Sequence, residues 1–268
     1  MSRRNLLVGS GGLQYTGILD TVGVFPLVSY SVRRLARSYT GPLVTLRRAS
    51  DNAEQSFYPL STGWLDDTDI AAWAGGSCYV AQWFDQSAGA KHFIQSTAAA
   101  QPLYSVGVTP ATRSTLTFDG ADDFVQVAFT NNQPQHIFSV FNRVSWTTAD
   151  FIWVGLSISS MRLYQGTSSS NLYMFTGALG DPITYGVDVY RVATAYYNSA
   201  DTSYFRVNGA QTNNGSAIGN NATGLTIGSD HVGTNNSHMS MSEFMLFPTK
   251  QSTVIQSSIE SDQSTQYL

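Results

Sequence analysis

An all-β, two-sheet jelly-roll sandwich with short peripheral helices and an N-terminal arm is the fold class this sequence predicts, on three observations. Hydrophobic residues make up 42% of the chain and charged residues only 12%, a balance expected of many short strands joined by polar turns. Runs rich in Val, Ile, Phe and Tyr recur at intervals of about 8 to 12 residues, bounded by Gly, Asn and Asp. No repeat of fixed period and no low-complexity linker separates them, so one large domain accommodates the 268 residues. The predicted division is an arm over residues 1–26 and a jelly-roll body over 27–268.

The arm is Gly-rich and weakly periodic, and its apolar residues Leu6, Leu7, Val8, Leu13, Ile18 and Leu19 are expected to lie against a partner. In "LVSYSVRRLARSYTGP", Val28, Val32, Leu35, Ala36 and Tyr39 fall at helical spacing, with Gly41-Pro42 as the stop. That spacing predicts a helix with its arginines in water. "LVTLRRASDNAEQSFYPL" reads as a strand, an Asp-Asn turn and a second extended segment, and "WLDDTDIAAWAGG" as a short helical or looped excursion. "CYVAQWFDQS" has the density of a buried strand, and the turn that follows predicts structural roles for Asp85 and Gln86.

From residue 115 the strand signal is regular. "TLTFDGADDFVQVAF" gives two strands about an Asp-Gly turn, and "HIFSVFNRV" and "DFIWVGLSI" are apolar enough to be central. "NLYMFTG" is another strand. "YRVATAYYNSADTSYFRVNGAQ" is a hairpin whose second turn is Asn208-Gly209. "LTIGSD" and "MSMSEFMLFP" close the body, and Val254, Ile255 and Ile259 mark one side of a short terminal helix.

Composition also excludes partners. A net charge of −4 gives no basic field for nucleic acid, and no apolar run is long enough to cross a membrane. Cys78 is the single cysteine, so no intrachain disulfide forms and a buried thiol is expected. Arg3 and Arg4 before Leu6, Leu7 and Val8 resemble a twin-arginine export signal only superficially, because Gly9 to Gly12 break the apolar run. The expectation is a chain made in a cytoplasm and left uncleaved. No cofactor and no metal is expected. Asp66, Asp67 and Asp69 lack the ligand pattern of a dedicated calcium site, and His231 and His238 lack a zinc spacing.

The set "LTFDGADDFVQV", "YRVATAYYNSADTSYFRVNGAQ", "LTIGSD" and "MSMSEFMLFP" resembles the concanavalin A-like lectin/glucanase jelly roll, especially its laminin-G-type members. Upstream, "VSYSVRRLARSYTGPLVTLRRASDNAEQSFYPLSTGWLDD" and "VAQWFDQSAGAKHFIQSTAAAQP" resemble the N-terminal half of the α-L-arabinofuranosidase B catalytic domain, an arrangement similar to one found in bacteriophage particle proteins. The resemblance implies a retaining glycosidase with two carboxyl groups about 5 Å apart. It puts the acid/base at Asp230. It puts the nucleophile in "NLYMFT", which has no acid, and a pair of adjacent cysteines in "DFIWVGLSI", which has none. Asp119, Asp122, Asp123 and Glu243 remain as other acids, the first three read as turn residues.

With the implied pair incomplete, the expectation is a non-enzymatic protein of a bacteriophage or phage-like particle, located in the virion. It would attach to particle proteins or copies of itself through residues 1–26. It would contact host-surface polysaccharide through Asp230, His231, Asn235 and Asn236, whose polar groups suit sugar hydroxyls. A glycoside hydrolase of α-L-arabinofuranosidase type and a purely structural decoration protein are the alternatives.

Overall fold

The computed structural model describes residues 15–146, 149–166, 170–175, 179–198, 203–215 and 221–268, with the side chains of 212–215 excepted. Leu6, Leu7, Val8 and Leu13 of the arm, and residues 199–202 of the predicted hairpin connection, lie outside the described residues.

The chain forms α1 (Ile18–Val22), β1 (Val28–Ser31), β2 (Val44–Arg48), β3 (Glu54–Phe57), α2 (Asp67–Ala74), β4 (Cys78–Trp83), β5 (Phe93–Ile94), β6 (Leu103–Ser105) and β7 (Thr115–Asp119). It continues through β8 (Val125–Asn131), β9 (Gln135–Arg143), β10 (Phe151–Val154), β11 (Arg162–Gln165), β12 (Leu172–Phe175) and β13 (Arg191–Tyr197). The last elements are β14 (Ser203–Val207), β15 (Ala210–Gly215), β16 (Ala222–Ile227), β17 (His238–Phe247) and α3 (Thr253–Tyr267). A large sheet runs β15-β14-β13-β9-β17-β7-β6-β4-β2-β3, with β1 on β17 and β5 on β4, and a small sheet runs β12-β11-β10-β16-β8. This is the predicted two-sheet sandwich.

The space between the sheets is filled by alternate residues of both, among them Trp83, Phe118, Phe141, Trp153, Leu163, Met174, Ile227 and Phe244. The large sheet is also covered on its outer face. Ile18 and Leu19 of α1, Leu35, Ala36 and Ile259 of α3 pack on Phe138, Met245 and Phe247 there. Burial on both faces explains why all nine residues of β9 are buried, polar ones included, without an exposed alternate face. The described part of the arm therefore lies on its own body, where Ile18 and Leu19 are 5% and 3% exposed.

Three readings of the sequence are corrected by the fold. Val28–Ser31 is a strand, not the start of a helix, because antiparallel pairing with β17 (Val28 with Leu246 through Ser31 with Glu243) buries all four residues, which a one-sided helix could not do. Its neighbour Arg33 is not in water but 3% exposed and ion-paired. Strands β7 and β8 do not form a hairpin: the Asp119–Asp123 turn carries the chain from the large sheet to the small one. Finally, α3 runs 15 residues and buries Gln256, Ile259, Glu260, Gln263 and Tyr267, while Val254 is 74% exposed. Its inward face is polar because the sheet beneath offers partners: Glu260 accepts from Arg206 and Thr194, and Gln256 from Tyr204.

Candidate active site

The sandwich brings two loops together at one end. The first is the turn after β7. Asp119 ends that strand, and its Oδ1 accepts the backbone N–H of Ala121 at 2.7 Å and of Asp122 at 3.4 Å. Gly120 has φ +80°, and a Cβ there would lie 2.9 Å from Cβ of His238, so only glycine turns the chain this close to β17. Asp123 then points back, its Oδ2 accepting the N–H of Asp119 at 3.0 Å. The second loop, between β16 and β17, packs on the first: Nδ2 of Asn236 donates to the Ala121 carbonyl at 2.6 Å, and Nε2 of Gln126 donates to the His231 carbonyl at 3.0 Å.

Carboxylate oxygens of Asp119, Asp122 and Asp123 lie within 4.8 Å of one another, a grouping that could also hold a metal ion. Asp119 and Asp122 are exposed and Asp123 is buried. Burial raises the Asp123 carboxyl from its ordinary 3.8 to about 7; the backbone bond from Asp119 opposes this and the negative charges of Asp119 and Asp122 add to it. Asp123 thus holds a proton near neutrality beside a carboxylate on the same turn.

Both acids line a groove of about 640 Å³ on the outer face of the large sheet, with Arg47, Tyr79, Leu103, Thr117 and His238. Arg47 is fixed there by Gln101 Oε1 at 2.6 Å and Asn52 Oδ1 at 2.9 Å, with its guanidinium carbon 4.9 Å from the Tyr79 ring centroid. His238 Nδ1 lies 3.1 Å from Ser145 Oγ. A depression of about 750 Å³ along α3 is larger, but its one acid is Asp262, already paired with Arg33.

Asp230, where the resemblance puts the acid/base, is held by a set of donors from its own loop. Its Oδ1 accepts the N–H of Val232 at 3.2 Å and of Thr234 at 2.8 Å, and its Oδ2 accepts from Thr234 Oγ1 at 2.7 Å and Asn235 Nδ2 at 2.6 Å. Burial pushes this carboxyl up, but those four donors outweigh it and hold it at about 2. Asn235 and Asn236, both half-buried, donate their amides to Asp230 and to the Ala121 carbonyl, and His231 contributes its carbonyl to Gln126.

The remaining predicted positions are distributed elsewhere. Asp85 accepts from the N–H groups of Ser29 at 2.8 Å, Ser87 at 2.9 Å and Lys91 at 2.8 Å, closing the "WFDQSAGAKH" loop over β1. Gln86 bridges the Leu35 N–H and the Arg33 carbonyl, both at 2.8 Å. Asp66 caps α2, and Asp67 accepts from Tyr104 and Ser114. Burial raises the Cys78 thiol to about 11.

Residues 22–141 match the family described as "Alpha-L-arabinofuranosidase B, catalytic". A probable α-L-arabinofuranosidase B of Aspergillus terreus is 33% identical over 96 residues, which span 34% of this chain and 19% of that protein. Among solved structures, an arabinofuranosidase complexed with arabinofuranosyl-α-1,2-xylobiose superposes with TM-score 0.73 at 12% identity, covering 91% of this chain and 63% of that one. A GH54 α-L-arabinofuranosidase soaked with a cyclic sulfate inhibitor gives 0.72 at 12%, covering 94% and 65%. Trypanosoma rangeli sialidase in complex with sialic acid gives 0.51 at 10%, covering 70% and 32%. At these identities the structural likenesses establish the fold, a β-sandwich shared with arabinofuranosidase catalytic domains. The chain spans less than two thirds of each of these relatives.

These matches correct the functional expectation. They lead to glycoside hydrolases and not to particle proteins, so the reading as a non-enzymatic phage structural protein, glycan-contacting or purely decorative, is overturned together with its virion location. The sequence offers no acid in "NLYMFT" to accompany Asp230, and a missing acid in one short strand does not decide against hydrolysis when three other carboxylates come together on a turn that local sequence reads as a β-turn. The available signal was three aspartates within five residues beside an apolar strand, which shows no burial until the sandwich closes.

Proposed function

We propose that this chain is a glycoside hydrolase of the α-L-arabinofuranosidase type, with Asp123 as acid/base and Asp119 as nucleophile. One observation carries the reading: two carboxyl groups within 4.8 Å share a groove, one raised to about 7, and both fall inside the segment 22–141 that matches the arabinofuranosidase family. A retaining glycosidase needs carboxyls about 5 Å apart, one of them protonated.

In the first step a carboxylate oxygen of Asp119 bonds to the anomeric carbon as the glycosidic C–O bond breaks. Asp123 delivers its proton to the leaving oxygen. In the second, Asp123 takes a proton from water, whose oxygen displaces Asp119 and releases the sugar with the original anomeric configuration. The Tyr79 ring and fixed Arg47 guanidinium border the groove where sugar hydroxyls need an apolar face and a donor.

The test is release of 4-nitrophenol from 4-nitrophenyl α-L-arabinofuranoside. Activity should fall as pH rises through about 7, where Asp123 loses its proton. Asp123→Asn should lower kcat by about 10²-fold or more. Asp119→Ala should lose turnover and regain product as the glycosyl azide when azide is supplied. Absence of turnover by the intact chain, or turnover indifferent to both substitutions, rejects the assignment.

A further inference from the structure

The outer face of the small sheet carries an arginine that is supplied with rings and, among the described residues, with no carboxylate. Strands β11 and β12 pair so that Arg162 lies opposite Phe175 and Tyr164 opposite Tyr173. Leu163, Leu172 and Met174 alternate with these residues and fill the core, so the four side chains stand on the opposite face, each half-buried. The Arg162 guanidinium carbon is 3.9 Å from the Phe175 ring centroid, 4.7 Å from Tyr164 and 5.8 Å from Phe151. Phe151 and Tyr164 are themselves stacked, with centroids 5.3 Å apart at 23°.

Arg33, Arg48 and Arg206 meet the acids Glu243, Asp51 and Glu260, whereas Arg162 belongs with Arg34, Arg113 and Arg191, which lie over aromatic rings. Arg162 donates through Nη1 to the Ile158 carbonyl and is hydrogen-bonded to the Tyr164 side chain, while its Nε has no hydrogen-bond partner. The ionisable groups that stabilise its charge are the phenols Tyr164 and Tyr197, and burial lowers its pKa, the sign of a cation short of countercharge. Ring faces with one such cation match a ligand having an apolar sugar face and a carboxylate on the same ring.

We propose that this face binds a uronic-acid residue of an acidic polysaccharide, its carboxylate on Arg162 and its ring against Tyr164 and Tyr173. The site is separate from the Asp119–Asp123 groove, which lies on the large sheet, and it stands whether or not that groove is catalytic. A neutral glycan leaves the cation unpaired, so the charge selects the acidic ligand.

Calorimetric titration of the purified chain with tetragalacturonate and with xylotetraose tests this. Tetragalacturonate should bind, weaken as salt is raised, and bind more tightly than xylotetraose. Arg162→Gln should weaken tetragalacturonate by about tenfold or more, the worth of one charge-assisted contact, while Asp119→Asn leaves it unchanged. Circular dichroism confirms that the variants are folded, and Tyr164→Ala, which removes a ring without touching the charge, gives a second route should Arg162→Gln not fold. Equal binding of both oligosaccharides, no binding of tetragalacturonate, or binding unaffected by both Arg162→Gln and Tyr164→Ala overturns the proposal.

Discussion

Glu243 and Asp123 are both acids buried by the sandwich, and the fold treats them in opposite ways. Glu243 is fully buried on β17 under α3, where Arg33 Nε donates at 2.9 Å, Ser31 Oγ at 2.9 Å, Tyr267 Oη at 3.1 Å and Gln263 Nε2 at 3.2 Å. Asp123 has a single backbone donor in the same range, the Asp119 N–H, and two negative neighbours. A buried carboxyl with a cation and several donors ties elements together. One with neither keeps its proton and is available for chemistry. The contrast separates an acid built into an ion-pair network from one held by a single donor, which burial or sequence position alone does not do.

The largest effect should come from breaking the first environment. Arg33→Met strands Glu243 without its cation and should cost about 3–5 kcal/mol, read by urea denaturation, because an uncompensated buried charge is far worse than a missing pair. The double variant with Glu243→Met should recover much of that loss; a double variant as unstable as the single one would show that packing, not charge, sets the cost.

A smaller effect belongs to Asp123 and has a defined sign. Its folded pKa of about 7 lies above its ordinary 3.8, so between those values the folded chain holds a proton the unfolded chain has released. Stability is therefore fullest below about pH 4 and declines as pH rises to about 7, by on the order of 1–3 kcal/mol. Asp123→Asn should flatten that decline. Melting curves of the two proteins at pH 4, 6 and 8 measure it, and parallel curves would mean that Asp123 titrates normally.

The smallest effect tests which cause dominates at Asp123. Burial is the leading cause and the charge of Asp119 a lesser one, so Asp119→Asn should lower the Asp123 pKa by only a fraction of a unit, read by NMR titration of its carboxyl carbon. Collapse of the pKa to near 4 would reassign the shift to like-charge repulsion and turn the pair into a coupled dyad.

Much of the fold was legible because the signals are local. Asn208 and Gly209, with φ of 48° and 78°, make the turn that "VNG" predicts, and the alternation in β11 and β12 follows the pleat. The terminal helix was legible as a helix but not by face, since a buried Gln256, Glu260 and Gln263 look solvent-exposed until the sheet beneath supplies Arg206, Tyr204 and Glu243. The segment at Val28 misled because apolar residues at helical spacing also fit a strand buried on both sides, and only β17 decides between them.

The sequence by itself determined the sandwich class, the position of most strands and the turn residues, because periodicity and turn chemistry act over a few neighbouring residues. Tertiary structure alone decided how each acid is held. Asp230 lies in the loop the sequence favours and is held at about 2 by four donors, while Asp123, four residues past the end of an ordinary strand core, is raised to about 7. A carboxyl's chemistry depends on desolvation and on the charges and donors around it, and those are set by residues up to 115 positions away, as Asn236 against Ala121 shows.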